Sequence, residues 1–243
     1  MCRMLAFASE EPRDVAPYLA HLASLSAHGN LVDRWEKRPG GNHPDGWGIA
    51  LRQKGETRIV RSGEPAASDP SLSGIRGSTD RFLGHARYAD NTDTVNEENA
   101  HPFLTRGIAL AHNGTFRGRI GEEANRRKVS DTLVFLEYFS GCWKDRTHAG
   151  LCDVLSTMLR DTELVGAYSA STFLIASGKT IFAFRNYRKD EDYYTLFLRS
   201  EPGLVLVASE PLDDSPGWRL LANGELVYLD PRSPASLFLA MAA

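Results

Sequence analysis

Apolar positions along this chain follow two periods, and the switches between them outline its elements. Residues 3–8 form a short apolar run that predicts a buried strand. Val15, Tyr18, Leu19, Leu22 and Leu25 then recur at helical spacing, which predicts an amphipathic helix over 14–26. A stretch rich in Gly, Pro and Asn over 28–46 predicts irregular structure. Strands are predicted at 47–52, 57–61, 82–88 and 108–112. Ser130 is a suitable N-cap for an apolar helix over 130–139, and Leu151, Val154, Leu155, Met158 and Leu159 mark a second helix. Strands return at 172–176, 180–185, 194–199, 204–208 and 226–229. Ser177-Gly178-Lys179 and Asn223-Gly224 both read as hairpin turns between such runs. Strands, then two helices, then strands is an α+β order. It predicts mostly antiparallel sheets packed with helices, not a doubly wound βαβ fold. Two sheets face to face under helical covers accommodate this number of elements.

Composition narrows the field. With 243 residues, 42% hydrophobic and 24% charged, the chain can bury a substantial core as one large domain or two small ones. It has no repeat, low-complexity tract or linker that would divide it. A net charge of −3 with scattered Lys and Arg predicts no nucleic-acid partner. No segment approaches the ~20 apolar residues that span a bilayer, and the run at 4–8 is too short for a secretory signal. Three cysteines, an odd number, fit a reducing compartment, so a cytoplasmic location is expected. Cys142, His148 and Cys152 match no usual zinc spacing, and no metal or other cofactor is expected.

The candidate chemistry starts at Cys2. Removal of Met1 by methionine aminopeptidase would leave a thiol and a free α-amine on one carbon skeleton. A nucleophile with its own terminal amine as base is an established arrangement. Several polar motifs follow: His43-Pro44-Asp45-Gly46-Trp47-Gly48, Gly84-His85-Ala86-Arg87-Tyr88-Ala89, Ala100-His101-Pro102-Phe103, His112-Asn113-Gly114 and Ser130-Asp131-Thr132. Singly, each reads as a turn or a strand end. Together and in this order, behind Met-Cys, they resemble the class II glutamine amidotransferases, N-terminal nucleophile hydrolases whose glutaminase domain begins with a catalytic cysteine. The likeness is to the small stand-alone members. It is carried from Cys2 to about Asp131 and is extended to one glutaminase domain over 2–243.

The resemblance implies a fold and a set of roles. The fold is a four-layer αββα sandwich of two mostly antiparallel sheets covered by helices. Cys2 attacks the δ-carbonyl of glutamine to give a γ-glutamyl thioester, and its α-amine carries the proton to departing ammonia. Asn113 and the Gly114 backbone N–H stabilise the oxyanion. Arg87 grips the substrate α-carboxylate and Asp131 pairs with the α-ammonium, a two-ended hold on a zwitterion that selects γ-glutamyl compounds over plain amides. His101 is assigned to the substrate, and His43, Asp45, Trp47 and His85 to support. Ser209-Glu210-Pro211 also matches the small members, without a role. Three positions depart from the pattern. Leu133 replaces the Glu of a capping box, Tyr88 stands where large relatives often carry Trp, and Asp90 replaces a common Thr.

The leading expectation is a glutaminase or amidotransferase that releases ammonia from glutamine. Because 243 residues leave no room for an acceptor domain, ammonia transfer would require a separate synthase partner. The alternatives are a γ-glutamyl amidohydrolase acting on a larger conjugate, as in ergothioneine assembly, and a non-catalytic γ-glutamyl-binding subunit.

Overall fold

A computed structural model describes residues 2–28 and 41–239. Met1 and most of the 28–46 stretch predicted to be irregular lie outside the described residues. The elements run β1 (Arg3–Asp14), α1 (Ala16–Ala27), β2 (Trp47–Gln53), β3 (Glu56–Ser62), α2 (Pro70–Gly74), β4 (Ser78–Ala86), β5 (Phe103–Thr105) and β6 (Ile108–Gly114). Then come α3 (Arg119–Arg127), α4 (Asp131–Cys142), α5 (His148–Arg160) and α6 (Thr162–Val165). The chain closes with β7 (Ser171–Ser177), β8 (Thr180–Arg185), β9 (Phe197–Glu201), β10 (Leu204–Ala208), β11 (Arg219–Leu220), β12 (Glu225–Tyr228) and β13 (Ala235–Phe238).

The strands form two sheets, ordered β11-β9-β10-β1-β4-β2-β3 and β13-β12-β8-β7-β6-β5. All their pairings are antiparallel. Strand alternation sorts the side chains into three apolar layers. On β1, Leu5 and Phe7 face outward with Trp47, Ile49 and Phe82 against Leu19 and Leu22 of α1. Met4, Ala6 and Ala8 face inward, with Ala109, Ala111, Leu174, Ala183 and Val207. Beyond the second sheet, Phe173, Ile175 and Phe184 meet Phe116, Phe135, Phe139 and Trp143 of the helical cover. The order is helix, sheet, sheet, helix: an α+β αββα sandwich, as expected.

Several boundaries differ from the sequence reading. The first strand extends to Asp14, with a register shift between Ala8 and Arg13. The helix begins at Ala16 instead of 14, because Asp14 turns its carboxylate onto the Ala16 N–H at 3.1 Å. The strand predicted at 82–88 stops at Ala86, and that predicted at 194–199 starts only at Phe197. Ser177-Gly178-Lys179 does close the β7–β8 hairpin. Asn223-Gly224 does not form a hairpin: β11 pairs with β9 in the first sheet, while β12 pairs with β8 and β13 in the second. The chain crosses between sheets there, and Arg185 secures the crossing by donating to Leu221 O at 2.7 Å.

The inter-sheet layer interleaves alanines with larger aliphatic side chains, so added volume at an alanine there should be poorly tolerated. Ala183→Leu is expected to destabilise the fold by ~1–3 kcal/mol through overpacking. A lowered urea midpoint at unchanged slope measures this, and an unmoved midpoint refutes tight packing between the sheets.

Candidate active site

One end of the sandwich carries a cavity of about 500 Å³, lined among others by Cys2, Arg87, His101, His112, Gly114 and Asp131. They reach it from several elements, His112 and Gly114 both from β6, and local physical chemistry explains how.

Cys2 immediately precedes β1 and is buried. Its backbone N–H donates to Asn113 Oδ1 at 2.9 Å, and Asn113 Nδ2 returns a bond to Cys2 O at 3.0 Å. Its thiol faces Tyr88 O at 3.7 Å. The next residue anchors it from the other side. Arg3 is buried, with Nε 3.2 Å from Glu210 Oε1 and its guanidinium 4.8 Å from the centre of the Tyr193 ring. Met4 N donates to Ser209 Oγ at 2.9 Å. The Ser209-Glu210 motif thereby acquires a role: it receives the first residues of β1.

Asn113 and Gly114 end β6. Gly114 lies at φ +151°, and a Cβ there would sit 1.9 Å from Ala170 O, so only glycine fits. Gly114 lines the cavity, whereas the Asn113 amide lies behind it, spent partly on Cys2. An amide NH₂ carries two hydrogens, and the contact with Cys2 O uses one of them.

Arg87 follows β4 and is buried. Two of its five N–H groups reach Thr94, one to the carbonyl at 2.6 Å and one to Oγ1 at 2.7 Å. Burial lowers its pKa below the usual guanidinium value, while Cys2, Asp45, Asp131 and Asp90 oppose that shift. Asp131 occupies the first turn of α4, where the helix dipole favours a carboxylate. Its Oδ2 accepts from Phe116 N at 2.6 Å, and Oδ1 lies 3.5 Å from Ser130 Oγ and 3.4 Å from Thr132 Oγ1. Ser130 caps α4 as predicted, accepting from Thr132 N at 3.3 Å.

Behind these charges stand three buried histidines. His101 Nε2 lies 3.0 Å from Ser130 Oγ, and His112 Nδ1 lies 3.0 Å from Thr132 Oγ1, so both buttress Asp131 through its neighbours' hydroxyls. His85 Nε2 approaches His112 O at 3.3 Å, and its ring lies 4.4 Å from that of His101. Burial lowers all three pKa values, that of His85 to about 3, which leaves the rings neutral.

The structure therefore brings Cys2, Arg87, Asp131, His101 and Gly114 to one cavity. Asp45, Trp47, His43 and His85 stand outside it. Asp45 Oδ2 accepts from Ala89 N at 2.8 Å, and Gly46 O accepts from Arg87 N at 2.8 Å, so this motif braces the backbone around Arg87. Trp47 is a core residue whose Nε1 donates to Asp69 Oδ2 at 2.9 Å. His43 ties its own backbone to Ser26. His112, Thr94 and Phe116 also serve the site without being among the residues the sequence singles out for it. His112 lies inside a quoted motif and was within reach. Thr94 acts from a short 3-10 turn capped by Asn91, and Phe116 contributes a backbone N–H, which no side-chain pattern signals.

Residues 1–202 match the profile of the family described as glutamine amidotransferases class-II. An uncharacterized protein of Methanocaldococcus jannaschii is 26% identical over 228 residues, covering 76% of this chain and 61% of its own length. The chain thus spans less than two thirds of that relative. Among solved structures, a glutamine aminotransferase class-II domain protein from Silicibacter pomeroyi superposes with TM-score 0.65 at 19% identity, covering 98% of this chain and all of its own. The glutamine phosphoribosylpyrophosphate amidotransferase of B. subtilis gives TM-score 0.62 at 20% identity over 99% of this chain and 50% of its own. These superpositions show a shared fold.

The neutral histidines make stability depend on pH with a definite sign. As pH falls below 6.5, an unfolded chain protonates at His85 before the folded one, whose value is about 3. Stability is therefore complete above that window and is lost on acidification, at ~1.4 kcal/mol per pH unit for one such group. His101 and His112 add in the same direction. Urea midpoints between pH 6.5 and 4.5 should fall more steeply for the native protein than for His85→Asn. Equal slopes would refute a neutral buried His85.

Proposed function

This chain belongs to the class II glutamine amidotransferases, and from that premise we propose that it hydrolyses the γ-amide of glutamine through Cys2. The observation that carries the proposal is the convergence of a thiol, a buried guanidinium and a carboxylate on one cavity, from three elements. Once Met1 is removed, the Cys2 nitrogen becomes an α-amine beside its own sulfur. Its hydrogen bond to Asn113 Oδ1 holds it in place. The amine accepts the thiol proton, directly or through water, as sulfur bonds to the amide carbon. We assign the oxyanion to the Gly114 backbone at the cavity wall and to the second Asn113 N–H, which must reach through from behind that wall; such donors are worth ~2.7–4 kcal/mol each. The carbon–nitrogen bond then breaks, the proton passes to the leaving nitrogen and ammonia departs. Water cleaves the thioester to glutamate and restores the thiol.

The rest of the cavity serves recognition. Arg87, fixed by Thr94, pairs with the substrate α-carboxylate, and Asp131, fixed by Phe116 N–H, pairs with the α-ammonium. His101 and His112 are positioning residues that hold Asp131 through Ser130 and Thr132. With all three histidines uncharged, Arg87 is the cation that meets the carboxylate. We assign the glutaminase domain to residues 2–243 and a cytoplasmic site of action. Any ammonia transfer would use a separate synthase partner. Among the described residues no helix is long and apolar enough to cross a membrane.

Intact mass and turnover test this reading together. Protein lacking Met1 should hydrolyse glutamine, and Cys2→Ala should abolish turnover without lowering the unfolding midpoint. Arg87→Lys should raise KM for glutamine by ~10–100-fold through loss of charged hydrogen bonds. Full activity in Cys2→Ala, or in protein that retains Met1, would overturn the mechanism. Absence of any turnover in correctly processed protein would point to a γ-glutamyl-binding subunit instead.

A further inference from the structure

Each sheet of the sandwich has two end strands, and the sequence treats the four differently. An end strand presents unpaired N–H and C=O groups, which proteins ordinarily protect with charge, brevity or a cover. In the first sheet β3 carries Glu56, Arg58 and Arg61, and β11 is two residues long. In the second, β5 is three residues long, and its Phe103 is buried with the Arg61 guanidinium 5.7 Å from the ring centre. The fourth is β13, Ala235-Ser236-Leu237-Phe238, which has no charge and is exposed at all four positions. Strand alternation places Leu237 beside Leu226 on the helical-cover face and Phe238 beside Glu225 on the inter-sheet face.

Phe238 is 67% exposed, Leu237 53% and Leu220 of β11 45%, the three highest values for large apolar side chains among the described residues. All three lie on one side of the sandwich, because Arg219 ties β11 to the end of the second sheet. Its Nη2 donates to Ser236 Oγ at 3.2 Å and to Glu225 Oε1 at 2.8 Å. Uncovered apolar side chains beside an unprotected backbone edge mark the place where a further strand would add.

We propose that a second copy of this chain supplies that strand: β13 of two molecules pairs antiparallel about a two-fold axis, joining their second sheets into one continuous sheet. Symmetry restricts the register. The axis stands perpendicular to the sheet, so residues brought opposite each other share a face. An axis at Ser236 sets Phe238 against Pro234, which has no N–H to donate. An axis at Phe238 sets Leu237 against Leu239, which is buried in its own core. The axis therefore falls at Leu237. The two Leu237 side chains then meet and extend the apolar row begun by Leu226. On the other face, Phe238 of one copy lies opposite Ser236 of the other and meets the guanidinium that Ser236 already touches. Arg219 is held by the buried Glu225, yet its side chain remains 47% exposed, which leaves it open to a ring. The two-fold makes this contact twice. An unrelated extended peptide would supply backbone bonds but neither the second ring nor the second guanidinium, so the geometry favours the copy.

Sedimentation equilibrium of the full chain is expected to show a dimer with Kd below ~100 μM, the affinity scale of a small interface. Leu237→Lys sets two ammonium groups face to face at the axis and should raise Kd at least ~30-fold, the scale of one hot-spot residue. Leu104→Lys, on the exposed position of β5 at the far end of the same sheet, should leave Kd unchanged. Mild oxidation reads the register independently of that charge. Leu237→Cys should yield a dimer with a disulfide mapped to position 237, because directly opposed Cβ atoms lie ~4.5–5.5 Å apart. Ala235→Cys, opposite Leu239 of the other copy, should not link. A chain that is monomeric at ~100 μM, or a dimer indifferent to Leu237→Lys, overturns the pairing and leaves the edge to a different partner. Linkage in Ala235→Cys in preference to Leu237→Cys overturns the axis at Leu237.

Discussion

The paired hydrogen bonds between the Asn113 amide and the Cys2 backbone are the constraint on which the rest of the site depends. They join the head of β1, the middle strand of the first sheet, to the end of β6 in the second. A short amide spans that seam in a sandwich whose facing surfaces carry many alanines, among them Ala6, Ala8, Ala109 and Ala111. The His85 contact with His112 O crosses the same seam. Arg3 and Glu210 secure the opposite side of the thiol with a buried ion pair, an arrangement whose disruption typically costs ~3–5 kcal/mol. The sulfur is thus located by its backbone and its neighbour, not by direct contacts strong enough to compete with a substrate.

The electrostatic design follows the same economy. The Arg87 guanidinium and the Asp131 carboxylate both line the cavity, each held by groups that do not neutralise it: a threonine for Arg87, and a backbone N–H with hydroxyls for Asp131. The histidines around them are kept uncharged by burial, and their ring nitrogens work as hydrogen-bonding struts. A zwitterion entering this space meets two opposite charges at fixed separation.

Legibility in the sequence varied with how local the determining interaction was. Ser130 as a helix cap, the β7–β8 turn and the apolar run of β10 are set within a few residues, and all are found where the pattern places them. Asn223-Gly224 has the look of a hairpin because local pattern cannot say which sheet a strand joins. There the partner is chosen by long-range packing and by Arg185. Helix α3 escaped notice because its segment is strongly charged and buries only Ile120, Gly121 and Ala124. The site residues Cys2, Arg87, Asp131 and Gly114 are legible through the order of their motifs and the family resemblance which that order carries. Thr94 and Phe116 are not, and Glu210 stands out only without a role, since their contributions exist only after distant segments meet.

The place of Cys2 in the sandwich also decides how the geometry around it can be lost. It heads a strand flanked on both edges, bound from one sheet by Asn113 and from within the other by Ser209 and Glu210. Fraying from the start of the chain would have to break the seam and a buried ion pair at once, so this segment has no cheap local opening of its own. Its amide protons are therefore expected to exchange only as the whole domain opens, which ties the persistence of the nucleophile's setting to that of the native state.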